Sequence, residues 1–265
     1  MTDKNKTEIA EPKSTAMGVF DDDLLSEGTG LEETTADDFA IPFIRVLQNT
    51  SPQLIKNNGK YIEGASAGDL LNTVTNEAYD GAEGLSVVPC AYTKKYIEWI
   101  PREKGGGLVN ANHTAEILHQ CKRDEESRRY YLRNGNEIVE TAQFFVLAYK
   151  GDEAPSQAVC AFTSTQLGAA RKWLTMLRMA RVQNSKGQSV QAPMFAYTYK
   201  LTTTSQSNDK GSWQGYSVNQ EGPTSMELAL VAKEFMTAAR QGEVEVKHEQ
   251  TRDDSSSAHV IDDEL

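Results

Sequence analysis

The stretch AVCAFTSTQLGAARKWLTMLRMARV, residues 158–182, decides the fold prediction. Residues 158–162 form a short apolar run that is typical of a buried strand. Thr163 then stands three residues before Gln166, the spacing of a capping box that opens a helix. Apolar residues recur at helical spacing after it: Ala170, Trp173, Leu177 and Ala180. We therefore predict a strand followed directly by a helix over residues 164–182.

Strand patterns lie on both sides of this helix. On the N-terminal side, residues 85–100 and 144–149 are β-rich, and Asn134-Gly135 marks a hairpin turn. On the C-terminal side, residues 195–218 read as two further strands, and a last helix runs from Thr224 to Gly242. A five-stranded OB-fold places its helix between the third and fourth strands. We predict a mainly β, α+β fold: an OB-fold-like barrel with a helix between strands and a C-terminal helix. Many mixed α+β sheets would give the same order of elements.

Charge divides the 265 residues into three segments. Residues 1–40 hold 3 Lys/Arg and 11 Asp/Glu, residues 41–247 hold 23 and 21, and residues 248–265 hold 1 and 6. We predict a disordered acidic N-terminal segment (1–40), a mildly basic folded body (41–247) and an acidic C-terminal tail (248–265). A basic body between acidic tails favours an anionic partner. Tails that only solubilise an ordinary domain are the alternative.

The sequence carries no membrane or secretion signal. No apolar run reaches the ~18 residues of a membrane helix, and residues 1–20 lack an apolar signal-peptide core. We therefore expect a cytoplasmic protein. Cys90 and Cys160 lie in strand-like runs and are predicted to be small core residues, because no CxxC pair is present.

Catalytic motifs are missing. There is no GxxxxGK[ST] phosphate loop, no GxGxxG after a strand and no HExxH. His113, His119 and Cys121 are too loosely spaced for a zinc site. The Glu-x-Lys string of residues 243–247 occurs in some nucleases, but a charged segment that follows the end of the last helix explains it more simply. We predict no enzyme activity, no metal and no cofactor.

Basic residues interleaved with aromatic residues are the stronger signal. Lys and Arg neutralise phosphates, and aromatic faces stack on unpaired bases. Alternation along the strands places Tyr96 and Trp99 on opposite faces, so only one of them is expected at a shared interface. The same alternation puts Tyr199 beside Leu201, which favours a core position for some of these rings. The predicted nucleic-acid-binding residues are Lys94, Lys95, Tyr96, Trp99, Arg102, Lys104, Arg128, Arg129, Tyr131, Arg171, Arg178, Tyr199, Lys200, Lys210 and Trp213.

With its acidic tail, this pattern resembles bacteriophage-encoded single-stranded DNA-binding proteins. Residues 97–102 with Gly105–Gly107, and residues 166–173, are similar to tailed-phage proteins. The resemblance implies a protein that coats unpaired strands in phage DNA replication and recombination. It also implies a tail that recruits replication or recombination proteins, in some members host RNA polymerase for late transcription. That tail would be Asp262, Asp263, Glu264 and Leu265, with Leu265 where the bacterial family ends in Phe.

Three functions stay open at this point. The first is a non-enzymatic single-stranded DNA-binding protein, which the basic and aromatic clusters favour. The second is a virion or assembly protein whose acidic tails only solubilise it. The third is a nucleic-acid enzyme in the broad sense, either a nuclease or a strand-annealing recombination protein.

Overall fold

The computed structural model describes residues 28–34, 40–209, 211–242, 244 and 246; for Arg102 it describes the backbone only. The strands of this part of the chain are β1 (Ile44–Val46), β2 (Leu70–Asn72), β3 (Ala78–Tyr79), β4 (Leu85–Trp99), β5 (Leu108–His113), β6 (Lys122–Arg123), β7 (Tyr130–Tyr131), β8 (Glu137–Tyr149), β9 (Ser156–Thr163), β10 (Arg181–Gln183), β11 (Ser189–Gln191), β12 (Tyr197–Asn208) and β13 (Gly211–Pro223). The α-helices are α1 (Leu167–Met179) and α2 (Met226–Gln241).

The central sheet is antiparallel, with the strand order β13-β12-β4-β8-β9. It curls into a half-barrel. Taken in chain order, the strands of this sheet are β4, β8 and β9, each antiparallel to the one before it. Helix α1 follows, and then the β12–β13 hairpin, whose first strand pairs with β4. A five-stranded OB-fold has this order, including the position of its helix. The predicted mainly β, α+β fold is confirmed.

Helix α1 fills the open side of the half-barrel with its apolar face. Trp173 is fully buried, and its ring stacks on Phe144 at 4.2 Å between centroids. Phe162 and Tyr199 meet the same indole edge-on. Because these rings come from β8, β9 and β12, one side chain of α1 ties together strands from both halves of the sheet.

The gap between the edge strands β9 and β13 is covered by the start of the folded body. Phe43 forms a parallel bridge with Val159 of β9, and the Tyr216 hydroxyl of β13 donates to the Ile44 carbonyl at 2.6 Å. The Gln48 side chain pairs with both backbone groups of Gln214 at 2.9 Å. These contacts occupy hydrogen-bonding groups that an open edge strand would offer to another chain.

Helix α2 covers the outer face of the sheet. Ser225 caps its start by accepting a hydrogen bond from the Leu228 N–H, and Gly242 ends it in the left-handed conformation. Ala232 and Phe235 are buried against β4, β8 and β9. Val231 of the same helix is 44% exposed and lies outside this buried face. Among the described helices, none is both long and apolar enough to cross a bilayer.

The segment between β4 and β8, residues 100–136, forms an arm beyond the end of the barrel. The predicted Asn134-Gly135 hairpin is present, with β7 paired to β8. After β5 the arm continues into a 3-10 helix, Ala115–Gln120.

Helix α1 is shorter than predicted at both ends. Residues 164–166 form a 3-10 turn, and the chain is already extended at Ala180, so Arg181 begins β10 instead of ending the helix. The expected capping box is wrong, because Thr163 makes no side-chain cap bond. The side-chain Oε1 of Gln166 instead accepts the Tyr216 N–H at 2.8 Å, which joins the start of α1 to β13.

Candidate nucleic-acid interface

Three of the aromatic rings predicted to stack on bases lie inside the protein. Tyr96 and Trp99 are 6% and 8% exposed, and Tyr199 is fully buried in the barrel core. Tyr96 packs against the arm residue Ile117, while Trp99 packs on the opposite face of β4. Both faces of this strand are covered, so neither ring face is open to a base. The stacking role predicted for these three residues is therefore wrong.

Two other predicted rings keep part of their surface in solvent. Tyr131 is half-buried in β7, and Trp213 is half-buried in β13. The Trp213 Nε1 donates to the Gln206 Oε1 at 2.9 Å, which holds the indole against the neighbouring strand of the β12–β13 hairpin. Both side chains retain surface that a base could cover.

The predicted residues do not form a single central cleft. Strand β4 enters the arm after Trp99, whereas β12 pairs with the opposite end of β4, at Leu85–Val87, and turns beyond it. These two ends of β4 are about 45 Å apart along the strand. The arm therefore carries Lys104, Arg128, Arg129 and Tyr131 at one end, and Trp213 lies towards the other.

Several predicted cations are engaged by carboxylates. The Lys94 ammonium lies 2.7 Å from the Glu140 carboxylate, whose hydrogen bond raises the lysine pKa. Arg129 approaches Glu137 at 3.6 Å, and Lys200 approaches Glu221 at 3.9 Å. These pairs reduce the positive charge available to a phosphate.

The other predicted cations fall into two groups. Lys104 and Arg128 are exposed on the arm, and Lys95 is partly exposed on β4 without an ion pair to any described residue. The side chain of Arg102, the whole of Lys210 and the tail Asp262–Leu265 lie outside the described residues.

A basic surface forms on α1 and the hairpin that follows it. Its members are exposed cations that form no ion pair within the part of the chain that the structure describes. They are Arg171, Lys172, Arg178, Arg181 and Lys186, and we call them the α1 basic surface. The two predicted residues, Arg171 and Arg178, are seven positions apart on one side of the helix, about 10 Å along its axis.

The end of this surface is held in place by the barrel. The Arg181 guanidinium donates to the carbonyl of Arg178 at 3.1 Å, which caps the end of α1. The hydroxyl of the half-buried Tyr197 donates to the Arg181 carbonyl at 2.7 Å. Strand β12 thus holds the backbone at the start of β10, next to the end of α1.

Lys172, Arg181, Lys186 and Tyr197 were missed as candidate site residues. A signal for the cations exists in the sequence: residues 154–208 contain six Lys or Arg and not one Asp or Glu. A charge sum over the whole body hides this run, because acidic residues elsewhere in the body cancel it. The contact that adds Tyr197 is visible only in three dimensions.

A buried carboxylate organises the arm. Glu98 accepts hydrogen bonds from the Asn136 amide at 2.6 Å and from the Asn134 amide at 3.5 Å, and its other oxygen lies 2.8 Å from the His113 Nε2. Burial raises the pKa of Glu98, but the bonds from Asn136, His113 and Asn134 together bring it below its ordinary value. One ionised side chain of β4 thus holds β5 and the β7–β8 turn.

No cluster of metal-binding side chains is found in the described residues. His113 is bonded to Glu98, and burial raises the pKa of the Cys90 and Cys160 thiols to about 12. Cys90 and Cys160 are fully buried, which confirms them as core residues.

The usual binding face of an OB-fold is covered in this protein. OB-folds commonly bind oligonucleotides on the face of their second and third strands, here β8 and β9. Phe145, Leu147 and Val159 of that face lie under α2. The cations of the α1 basic surface, by contrast, are exposed.

A model of one protein family matches most of the chain. The family is described as "Pam3 phage gp34-like protein", and the match covers residues 10–245. The chain belongs to this family. It is thus a phage protein of the gp34-like family, in agreement with the phage part of the resemblance. No curated protein and no solved structure matches the chain.

Proposed function

We propose that this gp34-like protein binds single-stranded DNA and coats unpaired strands during phage DNA replication and recombination. The observation that carries the proposal is the α1 basic surface: five exposed cations with no ion pair to a described residue, within a run of 55 residues free of Asp and Glu. It lies on a barrel with the strand order of an OB-fold, a fold that binds oligonucleotides in many proteins.

The chemistry assigned to this surface is phosphate binding. Guanidinium and ammonium groups along α1 and the β10–β11 hairpin would replace the counterions of a DNA backbone. The segment that carries the surface, residues 154–208, contains no acidic residue that would repel the strand. Exposed cations of the arm, such as Lys104 and Arg128, would extend the path that the DNA backbone follows on the protein.

In this proposal the protein is not an enzyme and works in the host cytoplasm. The acidic tail, Asp262–Leu265 in particular, recruits replication or recombination proteins, with host RNA polymerase as a further candidate. Its charge also competes with DNA for the basic surface when no strand is bound.

Fluorescence anisotropy with labelled oligothymidylate of about 20 nucleotides and a duplex of equal length tests the proposal. Titrations at about 50 and about 200 mM salt should show binding of the single strand that weakens steeply with salt, and weaker binding of the duplex. Absence of single-strand binding at the lower salt would overturn the proposal.

Two further readouts on the same oligonucleotides address the alternatives. Cleavage of the labelled strand with Mg²⁺ would indicate a nuclease, and joining of complementary strands would indicate an annealing protein. A virion protein would instead be present in many copies in purified particles and would not bind the free strand.

A further inference from the structure

A pocket lies where the β1–β2–β3 sheet meets the end of β8 and the start of β9. Its volume is about 200 Å³, the space of about six or seven liquid-water molecules, so it can take one flat ring. Three buried apolar residues of the barrel core, Ile44, Leu85 and Ala148, are part of its lining. None of the residues of the α1 basic surface lines it.

The wall of this pocket carries an amide with an unused N–H donor. Asn72 is only 5% exposed, and its Oδ1 accepts the Val74 N–H at 3.0 Å and the Thr75 N–H at 3.2 Å. These two bonds settle which end of the amide is the oxygen. The nitrogen Nδ2 donates to no described residue, and it retains accessible surface where Asn72 lines the pocket. Buried polar groups are almost always paired, so this nitrogen indicates an acceptor supplied from the pocket.

A carboxylate stands beside this donor. Strands β2 and β3 pair Leu70 with Tyr79, and the Asn72 N–H donates to the Glu77 carbonyl at 2.9 Å in the same ladder. Cross-strand neighbours place their side chains on one face, with Cβ atoms about 5 Å apart. Asn72 and Glu77 thus present an N–H donor and a carboxylate acceptor side by side, and both line the pocket.

Tyr79 holds the Glu77 carboxylate in place. Its hydroxyl donates to the Glu77 Oε2 at 2.8 Å. Burial raises the pKa of Tyr79 to about 12, and the Glu77 and Glu153 carboxylates add to the rise. The hydroxyl therefore stays protonated at neutral pH and remains a donor. The half-buried ring also gives the pocket an aromatic wall.

The charges of the lining exclude an anion. Glu77 and Glu153 form no ion pair with any residue that the structure describes, whereas Lys150 lies 3.1 Å from the Glu83 carboxylate. Two unpaired carboxylates repel a phosphate. A simple amine would satisfy them, but it carries no acceptor for the Asn72 N–H. The occupant must therefore offer N–H donors and an oxygen acceptor together.

We propose that this pocket binds a guanine base, with its carbonyl oxygen on Asn72 and its ring and amino N–H groups on Glu77. Guanine is the DNA base that carries a carbonyl oxygen next to two neighbouring N–H groups on one edge, and two N–H groups can share one carboxylate. The guanine is either a free nucleoside or one unit of the bound strand, and the second case rests on the proposed function. In that case the pocket adds a base contact to the phosphate contacts of the α1 basic surface.

Inosine, which lacks only the amino group of guanine, provides the comparison. Anisotropy measures the affinity for labelled strands of about 20 nucleotides, built from repeated TTTG or from TTTI with inosine. Ligand-observed NMR titration measures the affinity for deoxyguanosine and deoxyinosine.

Two variants change the pocket with little change of shape. Asn72→Asp keeps the oxygen that accepts the Val74 and Thr75 N–H groups but replaces the free donor by an acceptor. Glu77→Gln keeps an acceptor for Tyr79 but loses the charge and one N–H acceptor. Glu63→Gln makes the same change at an exposed glutamate outside the lining, and it is the matched control. Thermal unfolding establishes that each variant is folded.

The wild type and Glu63→Gln should bind the guanine ligand about fivefold more tightly than its inosine counterpart, and both pocket variants should lose this preference. A preference seen with the strands assigns the pocket to a base of bound DNA. A preference seen with the nucleosides, in a protein that binds neither strand, leaves the pocket standing and rejects the proposed strand-coating function. Equal affinities for guanine and inosine in the wild type, or a preference that persists in both pocket variants, overturn the pocket. The proposed function survives that result if both strands still bind.

Discussion

At the scale of single residues, the sequence predicted which charged side chains are exposed better than it predicted which aromatic rings are buried. Arg171 and Arg178 are exposed on one side of a helix as their spacing requires. Tyr96 and Trp99 were expected on opposite faces of β4 and are, yet both are buried. The residues that cover them, Ile117 and Leu108, belong to the arm, and no local pattern reveals which face such an insertion covers.

Glu98 is the residue whose ionisation matters most for the arm. Its pKa lies below the ordinary 4.5, so it stabilises the folded state above that value, and this contribution is lost as pH falls through the folded pKa. Lowering pH below about 4.5 should therefore reduce the unfolding temperature of the wild type more steeply than that of Glu98→Gln. Thermal unfolding at a series of pH values measures this, and parallel curves would refute the role given to Glu98.

At the scale of elements, the change from strand to helical period after residue 162 located α1 correctly. The alternation of Tyr199 and Leu201 favoured a core position for some of the rings, and Tyr199, although predicted to stack on bases, lies in the core with Leu201. The end of α1 was not predictable from the same pattern, because Ala180 and Arg181 continue the helical spacing. Pairing of β10 with β11 takes these residues into a hairpin instead.

The hydrogen bonds from the Gln48 side chain to the edge strand β13 give a prediction at this scale. Gln48→Ala removes both hydrogen bonds to Gln214, and the free energy of unfolding should fall by about 1–3 kcal/mol. The uncovered edge should also favour association between molecules. Urea unfolding and light scattering measure the two effects, with the exposed Gln188→Ala as control. If Gln48→Ala is as stable and as monomeric as this control, the hydrogen bonds from Gln48 do not protect the edge of β13.

At the scale of the whole molecule, the order of the elements predicted the barrel, but the predicted binding residues do not meet in one cleft. The length of β4 separates the basic and aromatic residues of the arm from those of the β12–β13 turn. The sequence also did not predict that α2 covers the outer face of the sheet, because this depends on tertiary packing. What remained visible in the sequence was the separation of charge between acidic ends and a basic body.

This separation of charge predicts the effect of deleting residues 248–265. The deletion removes a net charge of −5. Affinity for single-stranded DNA should stay the same or rise, because a competing polyanion is lost. Partner proteins captured by the full chain from an infected-cell extract should no longer be retained. Loss of DNA affinity in the truncated protein would mean that the tail belongs to the binding site itself.

The α1 basic surface is the central claim, and the salt dependence of DNA affinity in Arg171→Ala/Arg178→Ala tests it most directly. The matched control is Lys233→Ala/Arg240→Ala, two exposed cations seven positions apart on α2. If both α1 arginines contact phosphates, the slope of log affinity against log salt should fall by about 1.4, and affinity at physiological salt should drop about tenfold. The control should match the wild type. Equal slopes for the α1 variant and the wild type would contradict the account.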